Sequence, residues 1–361
     1  MASNYQCRSC GGTSNYDPKS GHLKCTYCGN EEEIPNEKRD ISHPLEEYQA
    51  LVDKLTPQEN AAAHEGHTVM ECKNCGACIE WDDISTAQTC PYCGSSIVLM
   101  ERQEEQLMPD GVIPFAVDKE EVQSIFRKWL EGKWLAPGSL KRLAERGSIQ
   151  SVYIPYWCFD ANVSANYEAE GGTNYTRYVT NAKGEKEAVV ETVWYDVDGY
   201  IERDYDDVVV IGSQSLNRVL AQDIKRFATS SSYPYDERYL AGFNAERYSV
   251  DMPVAHVEAQ DVMRDWLEES IANAVRSNYD EVRNIRFDPV YNNEQYKQLL
   301  LPVYATAYQF KNNVYQVLIN GETGQISGEY PKSYIKIALL VMAALFIIYV
   351  LYPWIEPLFR K

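Results

Sequence analysis

The apolar residues of this sequence fall into three regimes along the chain. Residues 1–100 hold only short apolar runs between polar turns, with one amphipathic stretch among them. In PLEEYQALVDKL (44–55), Pro44 stands at a helix start, and Leu45, Tyr48, Leu51, Val52 and Leu55 recur at helical spacing. TPQENAAA (56–63) opens with Thr56 as a cap and Pro57 behind it, so a helical connector is expected over 37–68. From 110 to 331 the pattern becomes that of an α+β domain with antiparallel sheets. VIPFAV (112–117) reads as a strand, and Asp118 caps a helix whose buried stripe is Val122, Ile125, Phe126, Trp129 and Leu130. The stretch 150–211 is strand-rich, with Gly171-Gly172, residues 181–184 and Asp198-Gly199 as its expected turns. Helices are expected at about 214–227 and 255–277, and LLLPVYATAYQF, VYQVLING and QISGEY then read as antiparallel strands joined by KNN and GETG turns.

The third regime is a run without a charge from Ile337 to Ile355, long enough to cross the hydrocarbon core as a helix. Tyr334, Tyr349, Tyr352 and Trp354 suit interfacial positions, and Pro353 should end the helix. A transmembrane helix is therefore expected over 335–355, followed by a short tail at 356–361. Lys332 and Lys336 precede the span while Arg360 and Lys361 follow it, so flanking charge does not set its orientation.

The cysteines carry the clearest chemistry. Cys7, Cys10, Cys25 and Cys28 have the form C-x2-C-x14-C-x2-C, and Cys72, Cys75, Cys90 and Cys93 repeat it. A glycine follows the second cysteine of every pair: Gly11, Gly29, Gly76 and Gly94. Such a knuckle needs a residue that tolerates positive φ, and two knuckles can place four thiolates tetrahedrally around one ion. The expectation is a zinc ribbon at 1–36 and a second at 69–100, holding two structural zinc ions. Four thiolates leave no open coordination position, so no metal-centred catalysis is expected. Cys78 reads as a bystander, His64 and His67 as linker histidines, and Cys158 as a buried core thiol. Zinc thiolates need a reducing compartment, and MASNYQCRSCGG lacks the pattern of a signal peptide. The N-terminal mass is thus expected in the cytoplasm, with the last residues outside the cell membrane.

Charge narrows the function classes. Against 34 basic residues stand 53 acidic ones, a formal net charge of −19. Phosphate contacts need clustered Lys and Arg, and neither ribbon offers a cluster, so nucleic-acid binding linked to replication or transcription stands only as an alternative. Asp204, Asp206 and Asp207 alternate with apolar residues and read as the wet face of a strand, and the 27 tyrosines suit half-buried sheet faces. No phosphate loop, G-x-G-x-x-G, H-E-x-x-H or G-x-S-x-G occurs, so a non-enzyme is expected, with an enzyme in 110–331 as the alternative.

The duplicate ribbons, YIPYWCFDA (153–161), VLINGETGQISGEYP (317–331) and the C-terminal apolar run together resemble a bacterial family of TFIIB-type zinc-ribbon, single-pass membrane proteins. The resemblance implies a membrane-bound scaffold or adaptor of the envelope stress response. Its implied partners are phage-shock-protein-A-like and SPFH (flotillin-like) proteins, and its implied zinc residues are the eight cysteines of the two repeats.

Overall fold

The computed structural model describes residues 5–35, 40–52, 68–72, 77–81, 88–90, 92, 96–97, 107–137, 149–180, 186–310 and 313–359. The first cysteine repeat forms its own four-stranded antiparallel sheet: β1 (Tyr5–Gln6), β2 (Thr13–Asp17), β3 (His22–Cys25) and β4 (Glu31–Glu32). After it come the short β5 (His43–Pro44), a 3-10 turn and α1 (Tyr48–Val52). The expected connector helix is thus seen only in part, because 53–67, with His64 and His67, lies outside the described residues. The second repeat contributes the hairpin β6 (Thr68–Glu71) and β7 (Cys78–Trp81) and the small pair β8 (Gln88–Thr89) and β9 (Ser96–Ile97).

The strand expected at 112–117 is reduced to β10 (Gly111–Val112), which pairs in parallel with a later strand. The chain beyond it stays extended, and the amides of Ala116 and Val117 both donate to the Gly321 carbonyl, each at 2.9 Å. The next helix, α2 (Lys119–Gly132), forms as its stripe requires. Asp118 accepts from the Glu120 and Glu121 amides, and Val122, Phe126 and Leu130 are buried.

Where several strands were expected, the structure has one long hairpin, β11 (Gln150–Thr180) and β12 (Lys186–Ile211), paired from Tyr156↔Ile211 to Thr180↔Lys186 with one register shift between Phe159 and Ala161. At ~3.3 Å per residue it is about 80 Å long. Gly171-Gly172 and Asp198-Gly199 are not turns but lie within its strands. A Cβ on Gly199 would come within 2.6 Å of the Tyr167 ring, and one on Gly171 within 2.5 Å of Tyr279. These glycines are seats for aromatic rings on the sheet, the packing role of a strand glycine.

The chain continues through α3 (Arg218–Asp223), β13 (Tyr233–Pro234), β14 (Asn244–Glu246) and α4 (Met252–Arg276). It then runs through β15 (Glu281–Phe287), β16 (Val290–Phe310), β17 (Asn313–Asn320) and β18 (Ile326–Gly328) to α5 (Tyr334–Phe359). β16 pairs antiparallel with both β11 and β17, so the C-terminal meander stands where the turn signals put it.

Burial along β11 shows what covers the sheet. Residues 151–159 are buried on both faces. Val152, Ile154, Tyr156 and Cys158 join a core that includes Leu216, Leu220, Ile224 and the second repeat. Tyr153 faces the opposite core, with Phe115, α2 and Tyr16 of the first repeat. Farther along, Ala161, Val163 and Ala165 alternate with less buried residues, because there α4 packs against one face of the sheet. That helix presents Met252, Ala255, Ala259, Met263, Leu267, Ile271 and Val275 at helical spacing. Three of the deep aromatics have polar partners: Trp157 Nε1 donates to the Val250 carbonyl at 2.8 Å, and the Tyr153 and Tyr304 hydroxyls donate to the carbonyls of Tyr239 and Val117.

The C-terminal expectation is overturned. Among the described residues no helix is long and apolar enough to cross a membrane. The helix α5 does form there, but its side chains are described only to residue 348. The transmembrane helix at 335–355, the single-pass topology and the membrane localisation built on it are therefore withdrawn. The helix start is tied to the body of the protein, where Lys336 Nζ donates to the carbonyls of Trp134 and Ala136 at 2.7 and 2.8 Å.

Candidate metal centre

The first repeat brings its four cysteines together. The ligand atoms of Cys7, Cys10, Cys25 and Cys28 all lie within 4.8 Å of one another. The Sγ–Sγ separations are 3.6 Å for Cys7–Cys28 and 3.5 Å for Cys10–Cys25. Sulfurs held ~2.3 Å from a central ion at tetrahedral corners would sit about 3.8 Å apart, so the group could hold a metal ion.

Two equivalent turns build the site. The Cys7 amide donates to the Gly12 carbonyl at 2.7 Å, and the Cys25 amide to the Asn30 carbonyl at 2.9 Å. Within each loop the glycine amide donates back to the first cysteine, Gly11 to Cys7 and Gly29 to Cys25. Both glycines are left-handed, with φ of 74° and 72°. The loop amides of Ser9 and Tyr27 then aim at the sulfurs of Cys7 and Cys25, each at 3.4 Å.

The electrostatics are those of crowded thiols. Amides of Cys28 and Tyr27 lower the Cys25 thiol to about 6, and the Ser9 and Cys10 amides lower that of Cys7. The Asn30 amide also favours the Cys28 thiolate, but Cys10 and Cys7 beside it push that thiol up to about 12. Four sulfurs this close cannot all ionise unless a cation sits among them.

Of the second repeat, Cys72 and Cys90 are described and deeply buried, at 0% and 1% exposure, while Cys75 and Cys93 lie outside the described residues. The Cys72 amide donates to the Ala77 carbonyl at 2.8 Å, the same five-residue span as in both turns of the first repeat. Cys78 contributes its backbone to β7, paired with Glu71.

Neither repeat hangs free of the sheet domain. In the first, Tyr16 sits edge-on to Tyr239 with centroids 5.6 Å apart, and its amide donates to the Ala241 carbonyl at 3.0 Å. In the second, β7 pairs with β14, matching Glu246 with Ile79. The Glu246 carboxylate accepts from the Tyr92 and Ser213 hydroxyls at 2.6 Å each and from Ser215 at 2.9 Å. Burial raises this carboxyl to about 7 even against those hydroxyls. No sequence signal marks Glu246, since its partners come from segments far apart in the chain.

A second acidic group also changes the expected picture. Asp207 is not on a wet strand face: its side chain is 9% exposed and ion-paired with Lys297, itself 10% exposed. Its amide donates to Asp160 at 2.6 Å from a left-handed backbone (φ 52°) at an irregularity of the β11–β12 register. Burial raises the Asp160 carboxyl to about 6. Although Asp160, Asp206 and Asp207 lie within 4.8 Å of one another, the Lys297 ammonium supplies their cation. Cys158 is buried nearby as expected, with its thiol pushed up by desolvation.

The fold and site define a tetracysteine-ribbon protein in which the ribbons pack on an extended, mostly antiparallel sheet. The chain is similar to YdjG of Bacillus subtilis (strain 168), an uncharacterised protein, with 28% identity over 343 residues that cover 94% of this chain and 93% of that one. No family model matches, and no solved structure matches.

Proposed function

We propose that this protein is a non-catalytic scaffold, stabilised by two structural zinc ions and bound to protein partners through the distal arm of its long hairpin. All-thiolate donors suit zinc, and a filled sphere gives it a folding role. The observation that carries the scaffold reading is the arm itself. Beyond Gly172 both strands are largely exposed on both faces. One face aligns Tyr195, Val193, Tyr175 and Val189, which are 44%, 44%, 51% and 37% exposed. A two-stranded ribbon is marginal in water on its own, and a row of apolar side chains on it favours a protein cover. Its open edges also suit strand addition by a partner. The family resemblance names phage-shock-protein-A-like and SPFH proteins as the partner classes.

The test is binding of each purified partner to the full chain and to a Val189→Glu/Val193→Glu variant. The variant should lose binding while keeping its zinc. Full binding by the variant, or no binding of either partner by the wild type, would overturn the reading.

A further inference from the structure

We propose that a cleft between α3, its following loop, β12 and α4 is a binding site for a small organic anion with a flat apolar body. The cleft holds about 250 Å³ and is lined by Arg218, Lys225, Arg226, Tyr156, Phe227 and Trp266 among others. This volume is near the lower end for ligand sites, which suits a metabolite-sized molecule.

The charge in the cleft is opposite to that of the chain. Of the ionisable groups lining it, Arg218 is paired with Glu258 at 2.9 Å, and Asp207 is neutralised by Lys297. Lys225 and Arg226 have no ion-pair partner among the described residues, so two positive charges remain in a protein of net charge −19. An anion entering here meets the positive charges of Lys225 and Arg226.

The walls select for an apolar body. Phe227 lies 6.2 Å from the Tyr156 ring, and Trp266 lies 5.7 Å from Tyr205. Tyr156 is 2% exposed, and its hydroxyl is buried without a hydrogen-bond partner among the described residues. Such a group costs roughly 1–3 kcal/mol when left unpaired, and a ligand acceptor at this wall would relieve it.

The basic loop is also held in place before any ligand arrives. Asn320 Nδ2 donates to the carbonyls of Ile224 and Arg226 at 2.9 and 3.1 Å. The Ala228 amide donates to Glu322 at 3.0 Å, and Ser327 donates to Asp223 at 2.7 Å. Preorganisation of this kind lowers the entropic cost of binding.

The experiment compares two fluorescent probes on the full-length, zinc-loaded protein: 1-anilinonaphthalene-8-sulfonate and its uncharged counterpart N-phenyl-1-naphthylamine. The sulfonate should bind saturably. Lys225→Glu/Arg226→Glu should weaken it about tenfold or more while changing the uncharged probe less than about threefold. Gln222→Trp, at the exposed rim of the cleft, should reduce binding of both probes. Unchanged sulfonate affinity in either variant, or equal weakening of both probes by the charge reversal, would overturn the proposal.

Discussion

The attachment of the first ribbon to the sheet domain can be tested at Tyr16. This ribbon forms a separate sheet, so among the described residues no strand pairing ties it to the large one, and its hold rests on side-chain packing and the Tyr16 amide bond to the Ala241 carbonyl. Tyr16, Leu23 and Ile34 are the ribbon residues buried in the shared core, and Tyr16 is 6% exposed. Removing a buried aromatic of ~200 Å² at ~25 cal/mol/Å² would cost up to about 5 kcal/mol, within the ~3–5 kcal/mol usual for such truncations. The neighbouring Lys19–Asp118 ion pair compensates little, since Lys19 is 63% exposed. Tyr16→Ala should therefore weaken docking by about 3 kcal/mol, raising ribbon opening by about two orders of magnitude. Hydrogen exchange read on peptides spanning 13–25 measures the opening, and metal analysis checks that zinc is retained, because Tyr16 is not a ligand. Tyr27→Ala is the control: Tyr27 is 80% exposed and its loss should move exchange little. If exchange in Tyr16→Ala matches wild type, the ribbon is held by something other than this contact. Loss of zinc with docking would mean that the metal site depends on the interface.

Three further predictions follow from the same geometry. On the proposed two-zinc reading, Cys10→Ser should lower zinc from two ions per chain to one, as counted by metal release on thiol modification, and two retained ions would refute a four-thiolate site. Gly29→Ala should cost about 1 kcal/mol through backbone strain alone, since φ is +72° and an added Cβ meets nothing within 4 Å. Competition with a chelator would show it as faster zinc loss, and unchanged retention would count against the strained knuckle. Glu246 sets a pH dependence: its folded carboxyl is raised from 4.5 to about 7, so the folded state holds its proton more tightly than the unfolded chain. Wild type should lose about 3 kcal/mol as pH rises from 4.5 to 7, relative to Glu246→Gln, which cannot ionise. Urea unfolding of both proteins at pH 5 and pH 8 tests this, and a difference that does not change with pH would refute the buried-carboxyl account.

The local features of this protein were legible in its sequence because they depend on near neighbours. A C-x2-C-G loop closes on itself, and the Cys7–Gly12 and Cys25–Asn30 bonds span only five residues. Asp118 caps the helix that starts beside it, and the GETG turn joins adjacent strands. What lay beyond the sequence depended on contacts made from a distance. Gly171-Gly172 and Asp198-Gly199 carry turn composition, yet Tyr279 and Tyr167 lie across them, so a glycine that could bend the chain serves as a flat seat in a strand. Asp207 follows a polar alternation, but Lys297 reaches it from another strand and makes burial tolerable. Apolar composition alone suggested a span near the C-terminus, which the described helix does not supply. The packing of both ribbons on the sheet likewise rests on Tyr239 and Glu246, residues that no cysteine spacing could point to. Spacing along the chain settles which four sulfurs can meet, because a knuckle is only a few residues long. What lies against that cluster is decided by tertiary packing, which brings together segments whose separation in sequence carries no signal.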